Sequence, residues 1–402
     1  MAERAPAAAS SRARPRDRRV QIAERAGELF SAHGFHSVRM DDIAKASGIT
    51  ARALYRHYDN KQALLSHVVI EDQERVVTTL TALAAQPLQD RDVDALLGTL
   101  VASALESRRL SVLWQREARH LTADDYERVR ARTRWIAQQV EELVATAEGL
   151  PDGAAELRSW VVVSIISGHG FYDTTLSRRR LAQELVAACE RVLGASATSP
   201  TGEPIPAAAD RSASARREQL IHAAARSFRT RGFGGVSIDD IGREVGVVGP
   251  ALYRYFDTKA DLLVAAVARL HEWQALEARR ALREPGPDEA VIAELVRSYV
   301  RLALEATDLV AVALTEWLYL PTAVLEHFDR VRADLFGEWH RWLAVARPDL
   351  PDAQVPVLVN IARTIIDDCV RIPNLRRQPT FSADLATAAL AALGVHDGRT
   401  GS

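Results

Sequence analysis

The chain repeats itself. Shifted by 198 residues, segment 18–69 falls on 216–267 without a gap, and about 21 of 52 positions are identical. The matches include Phe30 with Phe228, Gly34-Phe35 with Gly232-Phe233, Asp41-Asp42-Ile43 with Asp239-Asp240-Ile241, and Gly48 with Gly246. The run Ala53-Leu54-Tyr55-Arg56 returns as Ala251-Leu252-Tyr253-Arg254, followed by Lys61 and Lys259 at equivalent places. Whatever one half folds into, the other must fold into as well, so the 402 residues divide into two units of roughly 200.

Both units read as helix after helix. Ile22, Ala23, Ala26, Leu29 and Phe30 recur at helical spacing and are matched by Leu220, Ile221, Ala224 and Phe228; no convincing alternation of a strand appears. Later helices are predicted over 94–105, 123–147, 156–174 and 178–193, then over 289–306, 323–346, 353–371 and 382–393. The fold class is all-α. The expected organisation is a basic arm without secondary structure (1–17), a first small helical domain (18–66) and its larger partner (67–194), a Ser/Thr/Pro/Gly/Ala linker (195–213), and the same pair again (214–264 and 265–396).

Charge follows the repeat. Segment 11–61 carries 11 Lys/Arg against 6 Asp/Glu, and segment 211–261 carries 9 against 6, so two basic islands lie in a chain whose net charge is −2. Lys45, Lys61 and Lys259 are the only lysines among 51 basic residues. No apolar run approaches the roughly 20 residues a membrane span needs, and two cysteines give neither a disulfide framework nor a zinc cluster. A cytoplasmic protein without cofactor or metal is the expectation.

Within each island a short helix begins at Asp41-Asp42 or Asp239-Asp240, carboxylates suited to a helix N-terminus. Gly48 and Gly246 then permit a sharp turn, and a third short helix runs through Leu54 or Leu252. This is helix-turn-helix spacing, whose second helix enters a major groove. On Gly34-Phe35, Asp42-Ile43-Ala44, Gly48-Ile49-Thr50, Leu54-Tyr55-Arg56-His57-Tyr58 and Asn60-Lys61, and on their second copies, the chain resembles the TetR family of transcriptional regulators.

The resemblance implies DNA as partner, and it implies roles. Thr50, Ala51 and Arg52 open a recognition helix over about 50–58; Arg52 suits guanine and Ala51 a thymine methyl. Tyr55 and Arg56 fall where phosphate is held, and Lys61 is expected to meet a phosphate at a helix N-terminus. Arg39, His57, Ser237 and Tyr255 complete the DNA-facing set. In the second copy Thr50-Ala51-Arg52 becomes Val248-Gly249-Pro250, while Tyr253, Arg254 and Lys259 persist. That half either reads bases weakly through shape and apolar contact or acts as a backbone clamp. Tyr55 and Tyr253 have a packing alternative. Arg12, Arg14, Arg16, Arg18 and Arg19 form either a solvated tail or a minor-groove arm, with Arg211, Arg216 and Arg217 at the equivalent place.

By the same resemblance the last two helices of each unit pair, here as a four-helix bundle within one chain, which is then a pseudo-dimer; like repeats pairing between two chains are the alternative. Each regulatory domain is expected to hold an effector of hydrophobic or acyl type. Its candidate contacts are Trp114, His120, Tyr126, His169 and Tyr172 in the first unit, and Trp317, Tyr319 and Phe328 in the second. The function expected is a ligand-responsive repressor on an asymmetric operator; the rival is a helical protein-interaction scaffold. No nucleophile elbow or phosphate-cradling loop marks an enzyme.

Overall fold

Apolar periodicity translates directly into helices. The computed structural model describes residues 15–87, 90–106, 108–148, 152–195 and 215–395, which hold seventeen α-helices and no strand. The first unit comprises α1 (Pro15–His33), α2 (Met40–Ala46), α3 (Ala51–Leu54), α4 (Lys61–Ala84), α5 (Val93–Glu106), α6 (Arg108–Glu117), α7 (Ala123–Glu148), α8 (Asp152–Gly168) and α9 (Arg178–Leu193). The second comprises α10 (Arg216–Arg231), α11 (Ile238–Glu244), α12 (Lys259–Ala281), α13 (Val291–Glu305), α14 (Thr307–Thr315), α15 (Thr322–Ala346), α16 (Val355–Cys369) and α17 (Phe381–Leu393). A 3-10 turn, Gly249–Arg254, stands where the first unit has α3. None of the described helices is long and apolar enough to cross a membrane.

Several boundaries differ from the sequence reading. Helix α1 already begins at Pro15, so residues 15–17 belong to it and not to an arm; Arg12, Arg14, Arg211 and linker positions 196–213 lie outside the described residues. The helix expected over 156–174 ends at Gly168 in a 3-10 turn, His169–Phe171, which carries His169 and Tyr172 off the helical register. The recognition helix is one turn long, not nine residues.

The units meet through their last helices. Helix α8 packs on α16, and α9 on α17, so that Val161, Ile165, Leu185 and Cys189 share one core with Leu358, Ile361, Ile365 and Leu385. Polar ties cross the same seam: Arg191 Nη2 donates to the Ala392 carbonyl (2.7 Å), and Gln378 Nε2 donates to Glu156 Oε2 (3.0 Å). The helices approach closely at Gly168, where an added Cβ would lie 2.5 Å from Thr364 Cγ2 and 3.0 Å from its Cβ. Gly168→Val therefore overpacks the seam and is expected to lower stability by about 1–3 kcal/mol, read as a lower urea midpoint; an unchanged midpoint contradicts the described packing.

The two heads are embedded differently. The second head's Phe228, Ile241 and Leu252 belong to the large core that runs through both units. The first head's Ile22, Phe30, Ile43 and Leu54 form a separate core with Leu113, Ala118 and Val129.

Candidate nucleic-acid interface and the seam behind it

Gly48 and Gly246 set the turns, with φ of 64° and 69°, values at which a side chain would be strained. In the first head Thr50 then caps α3, its Oγ1 accepting from the Ala53 amide (3.2 Å). That hydroxyl, expected at a base edge, is occupied as acceptor, and Ala51 and Arg52 occupy the first turn beside it. Arg52, Tyr55 and Arg56 are exposed, with Tyr55 keeping 51% of its surface accessible. His57 is half-buried. An exposed tyrosine of that size is no core residue, which removes the packing alternative for Tyr55, and likewise for Tyr253 at 47%.

The second head presents a different tip. Val248 offers no side-chain cap, Gly249 takes φ 56°, and Pro250 follows, so the segment winds as a 3-10 turn. Val248 is 63% exposed, and Gly249, Pro250, Tyr253, Arg254 and Tyr255 are exposed around it. Ser237 is committed elsewhere: its Oγ accepts from the Asp240 amide (3.1 Å) and donates to Asp240 Oδ2 (2.6 Å), a capping box that draws the Asp240 carboxyl down to about 2. Arg39 caps the equivalent helix through its backbone amide to Asp42 Oδ2 (2.9 Å), leaving its guanidinium exposed.

Two expectations fail. Lys61 turns inward: Nζ donates to the carbonyls of Phe35 (2.6 Å) and Val38 (2.8 Å) and lies 4.3 Å from the centre of the Phe35 ring. Lys259 does the same with Phe233 (2.5 Å), Val236 (2.7 Å) and the Phe233 ring (4.2 Å). Both ammonium groups clamp the loop after the first helix, and burial lowers the affinity of each for its proton, so neither is offered to phosphate. Nor do the described arginines form an arm. Arg18 and Arg19 lie in α1, with Arg19 over the Tyr58 ring (5.1 Å); Arg216 and Arg217 lie in α10, with Arg217 over Phe256 (5.1 Å).

Behind the heads stands a pair of glutamates whose pairing sequence reasoning did not foresee. Glu117 Oε2 accepts from the Phe35 amide (3.2 Å), and Glu316 Oε2 accepts from the Phe233 amide (3.0 Å). Glu316 is fully buried and also pairs with Arg119 of the first unit (2.6 Å). Arg116 reaches the Ser31 carbonyl of α1 (2.5 Å) and stands 3.8 Å from Glu117. The loops nearly touch: a Cβ on Gly234 would meet the His36 ring at 2.6 Å. The duplication signals this pair, but at a shift of 199, one residue off the register of the heads.

His120, expected in a ligand pocket, belongs to this network. It stacks on Phe35 (4.8 Å) and meets His36 edge-on (4.4 Å); burial first, then His36, Arg119 and Lys61, pushes its imidazolium down to about 3. Burial likewise lowers His271 to about 4. Folded values below the ordinary 6.5 mean that the unfolded chain binds more protons, so this stability is present above pH 6.5 and is lost as pH falls towards 4 and 3. Burial raises the Glu117 carboxyl, which acts in the opposite sense nearer the carboxylate range. Tm should therefore fall from pH 7 to pH 5, and His120→Phe should flatten that slope; an unaltered slope contradicts the buried imidazole.

A cavity of about 470 Å³ adjoins the network. Trp114 and Tyr126, stacked at 5.7 Å, line it together with Trp160. Asp368 and Arg371 of the second unit close it, joined to Gln115 at 3.1 and 2.8 Å. His169 and Tyr172 do not line it; His169 is buried with Nδ1 2.8 Å from the Ile166 carbonyl. Neither do the second-unit candidates. Tyr319 lies against Gly34 and stacks on Phe233 (5.3 Å), and Trp317 and Phe328 pack into the second unit's core.

Known proteins bear on these features. The family profile "Bacterial regulatory proteins, tetR family" matches residues 22–68 and 220–266. The regulator UidR of Escherichia coli is 41% identical over 59 residues, 15% of this chain and 30% of that protein. The repressor KstR2 of Rhodococcus jostii is 27% identical over 109 residues, 27% of this chain and 53% of its own, and the activator FasR of Mycolicibacterium smegmatis is 37% identical over 68, 17% and 31%. The chain thus spans about a third to a half of these curated relatives. Among solved structures, KstR2 of Mycobacterium tuberculosis aligns with a TM-score of 0.38 at 18% identity, covering 44% of this chain and 93% of that one. With the motif present twice, each copy in its own helical unit, the chain carries the segment profiled for the tetR family of bacterial regulatory proteins in tandem duplicate.

Proposed function

We propose that the chain is a DNA-binding transcriptional repressor whose single polypeptide supplies both reading heads, and that a small molecule in the seam cavity governs their relative placement. One observation carries the reading: Glu117 and Glu316 each hold a head by the amide of Phe35 or Phe233, and Arg119 joins the first unit to Glu316. Two heads tied through one buried ion pair move as a set. The cavity wall includes Arg116 and Arg119 beside this tie and Arg229 from the second head's first helix. A bound molecule therefore touches the elements that fix both heads, and it shifts a population if it favours one head arrangement over the other.

The heads differ in what they read. The first brings Ala51, Arg52 and Arg56 to the duplex, with Arg52 reading a base pair and Arg56 and Tyr55 holding phosphate. The second brings Val248 and Pro250 forward, apolar groups suited to a thymine methyl or to groove shape, with Tyr253, Tyr255 and Arg254 on the backbone. Repression asks only for occupancy of DNA and is the mode proposed. Selection of bound duplexes from a random pool is expected to yield an asymmetric site with one strongly and one weakly specified half. A palindrome, or no enrichment, overturns the reading.

A further inference from the structure

From the way the two regulatory domains are filled, we infer that the chain takes one effector, in the first unit alone, and that this effector is an uncharged, largely apolar molecule. The inference rests on the proposed effector role of the seam cavity and adds its occupancy and chemistry.

The two units correspond in sequence at a shift of 198 along α4 and α12, of 199 from Glu117 and Glu316 onward, and of 200 along the last two helices, where Leu193-Gly194 answers Leu393-Gly394. Small or neutral cavity residues of the first unit are then replaced by large or charged ones. Val129 corresponds to Phe328, Thr133 to Arg332, Val163 to Arg363 and Ser167 to Asp367. The replacements satisfy one another. Phe328 meets His271 edge-on (5.2 Å), Arg332 lies over Trp317 (4.7 Å), and Arg363 lies over Phe336 (3.9 Å) while pairing with Asp367 (3.5 Å). Tyr299 Oη donates to the same Asp367 (2.6 Å). Val76 and Ile136 line the 470 Å³ cavity, whereas their counterparts Gln274 and Leu335 line one of about 20 Å³. The second unit carries in its own side chains the filling that the first unit lacks.

The cavity's position makes that filling consequential. Val129 and Ala118 on its wall belong to the first head's separate core, and Leu100 and Ile166 belong to the core shared by both units. A molecule in the cavity joins the two cores. In the second unit they are already joined, since that head packs into the shared core without a ligand.

Charge on the wall decides the ligand's class. Arg119 pairs with Glu316 (2.6 Å), Arg371 with Asp368 (2.6 Å), Arg229 with Asp308, and Arg116 with Glu117 (3.8 Å). Each charged side chain of the wall has an opposite partner, so an added carboxylate, sulfonate or ammonium enters without a counter-charge. The rest of the wall offers the aromatic surface of Trp114, Tyr126 and Trp160, with Gln73 Oε1, the Nε donors of Arg116 and Arg119 and the hydroxyls of Ser103 and Ser111 for the polar groups of a neutral ligand.

The test uses a matched pair of fluorophores, neutral phenylnaphthylamine and its sulfonated counterpart anilinonaphthalene sulfonate, titrated into the full chain without DNA. The expected result is one neutral probe per chain, with the sulfonated one at least about a hundredfold weaker. Val129→Phe, which copies the second unit, and Ala104→Trp, which fills the cavity from α5, are each expected to weaken the neutral probe at least about tenfold. Helical circular dichroism of both variants confirms that they fold. Two probes per chain, equal affinity for both probes, no saturable neutral binding, or wild-type binding by both folded variants overturns the inference. Failure of the DNA-reading proposal shows separately, in duplex selection, which contains no probe.

Discussion

Arg56→Glu is expected to lower affinity for the selected duplex on the order of a hundredfold at physiological salt, because it removes one phosphate contact and places an anion against the backbone. Arg56 is exposed beside the one-turn helix, on the same head as Arg52. Arg254→Glu, its counterpart on the 3-10 turn, is expected to cost about tenfold, since in the proposed reading the second head holds backbone with little base contact. Arg52→Ala should behave differently again, costing about 1–3 kcal/mol at one base pair and relaxing the preference there while leaving the salt slope near its original value. Equilibrium binding across a salt series separates the three. An Arg254→Glu protein with wild-type affinity removes the second head from the interface.

Glu316→Ala is the largest stability change we expect. The carboxylate is fully buried and satisfies three groups: the Phe233 amide (3.0 Å), Arg119 (2.6 Å) and the Thr315 hydroxyl (2.7 Å). Removing it strands a guanidinium that is 18% exposed, at a cost of about 3–5 kcal/mol. Glu117→Ala should cost less. Its guanidinium neighbour stands 3.8 Å away, and burial already raises the Glu117 carboxyl, so its charged form is incompletely compensated and less is lost with it. Urea unfolding of the two variants ranks them; Glu117→Ala proving the more harmful would contradict the described pairing.

Local signals carried much of this architecture. The repeat follows from a single shift of 198, the turn glycines and the last four helices of the bundle from spacing within about 20 residues, and Arg178–Leu193 and Phe381–Leu393 fall within a residue of their predicted limits. Orientation was less legible. That Lys61 and Lys259 sit at matched positions is plain in the sequence, but their direction depends on where the Phe35 and Phe233 rings and the carbonyls three residues on come to lie. The glutamate pair escaped because one residue separates its register from that of the heads. The second unit's share of the cavity wall escaped for another reason: Gln115 and Asp368 are 253 residues apart, and no local pattern brings them together. Chosen by aromatic type alone, Trp114 and Tyr126 fall on the cavity wall, whereas His120 and Tyr319 pack between head and seam and Phe328 packs within the second unit.

The central claim is that one chain does what paired subunits otherwise do. Mass determination of the protein bound to its selected duplex, at micromolar chain and physiological salt, tests it most directly. One 44.2 kDa chain per duplex, protecting two unlike half-sites, is the predicted result. Two chains per duplex on matching half-sites would show that the repeats pair between molecules, and would contradict it.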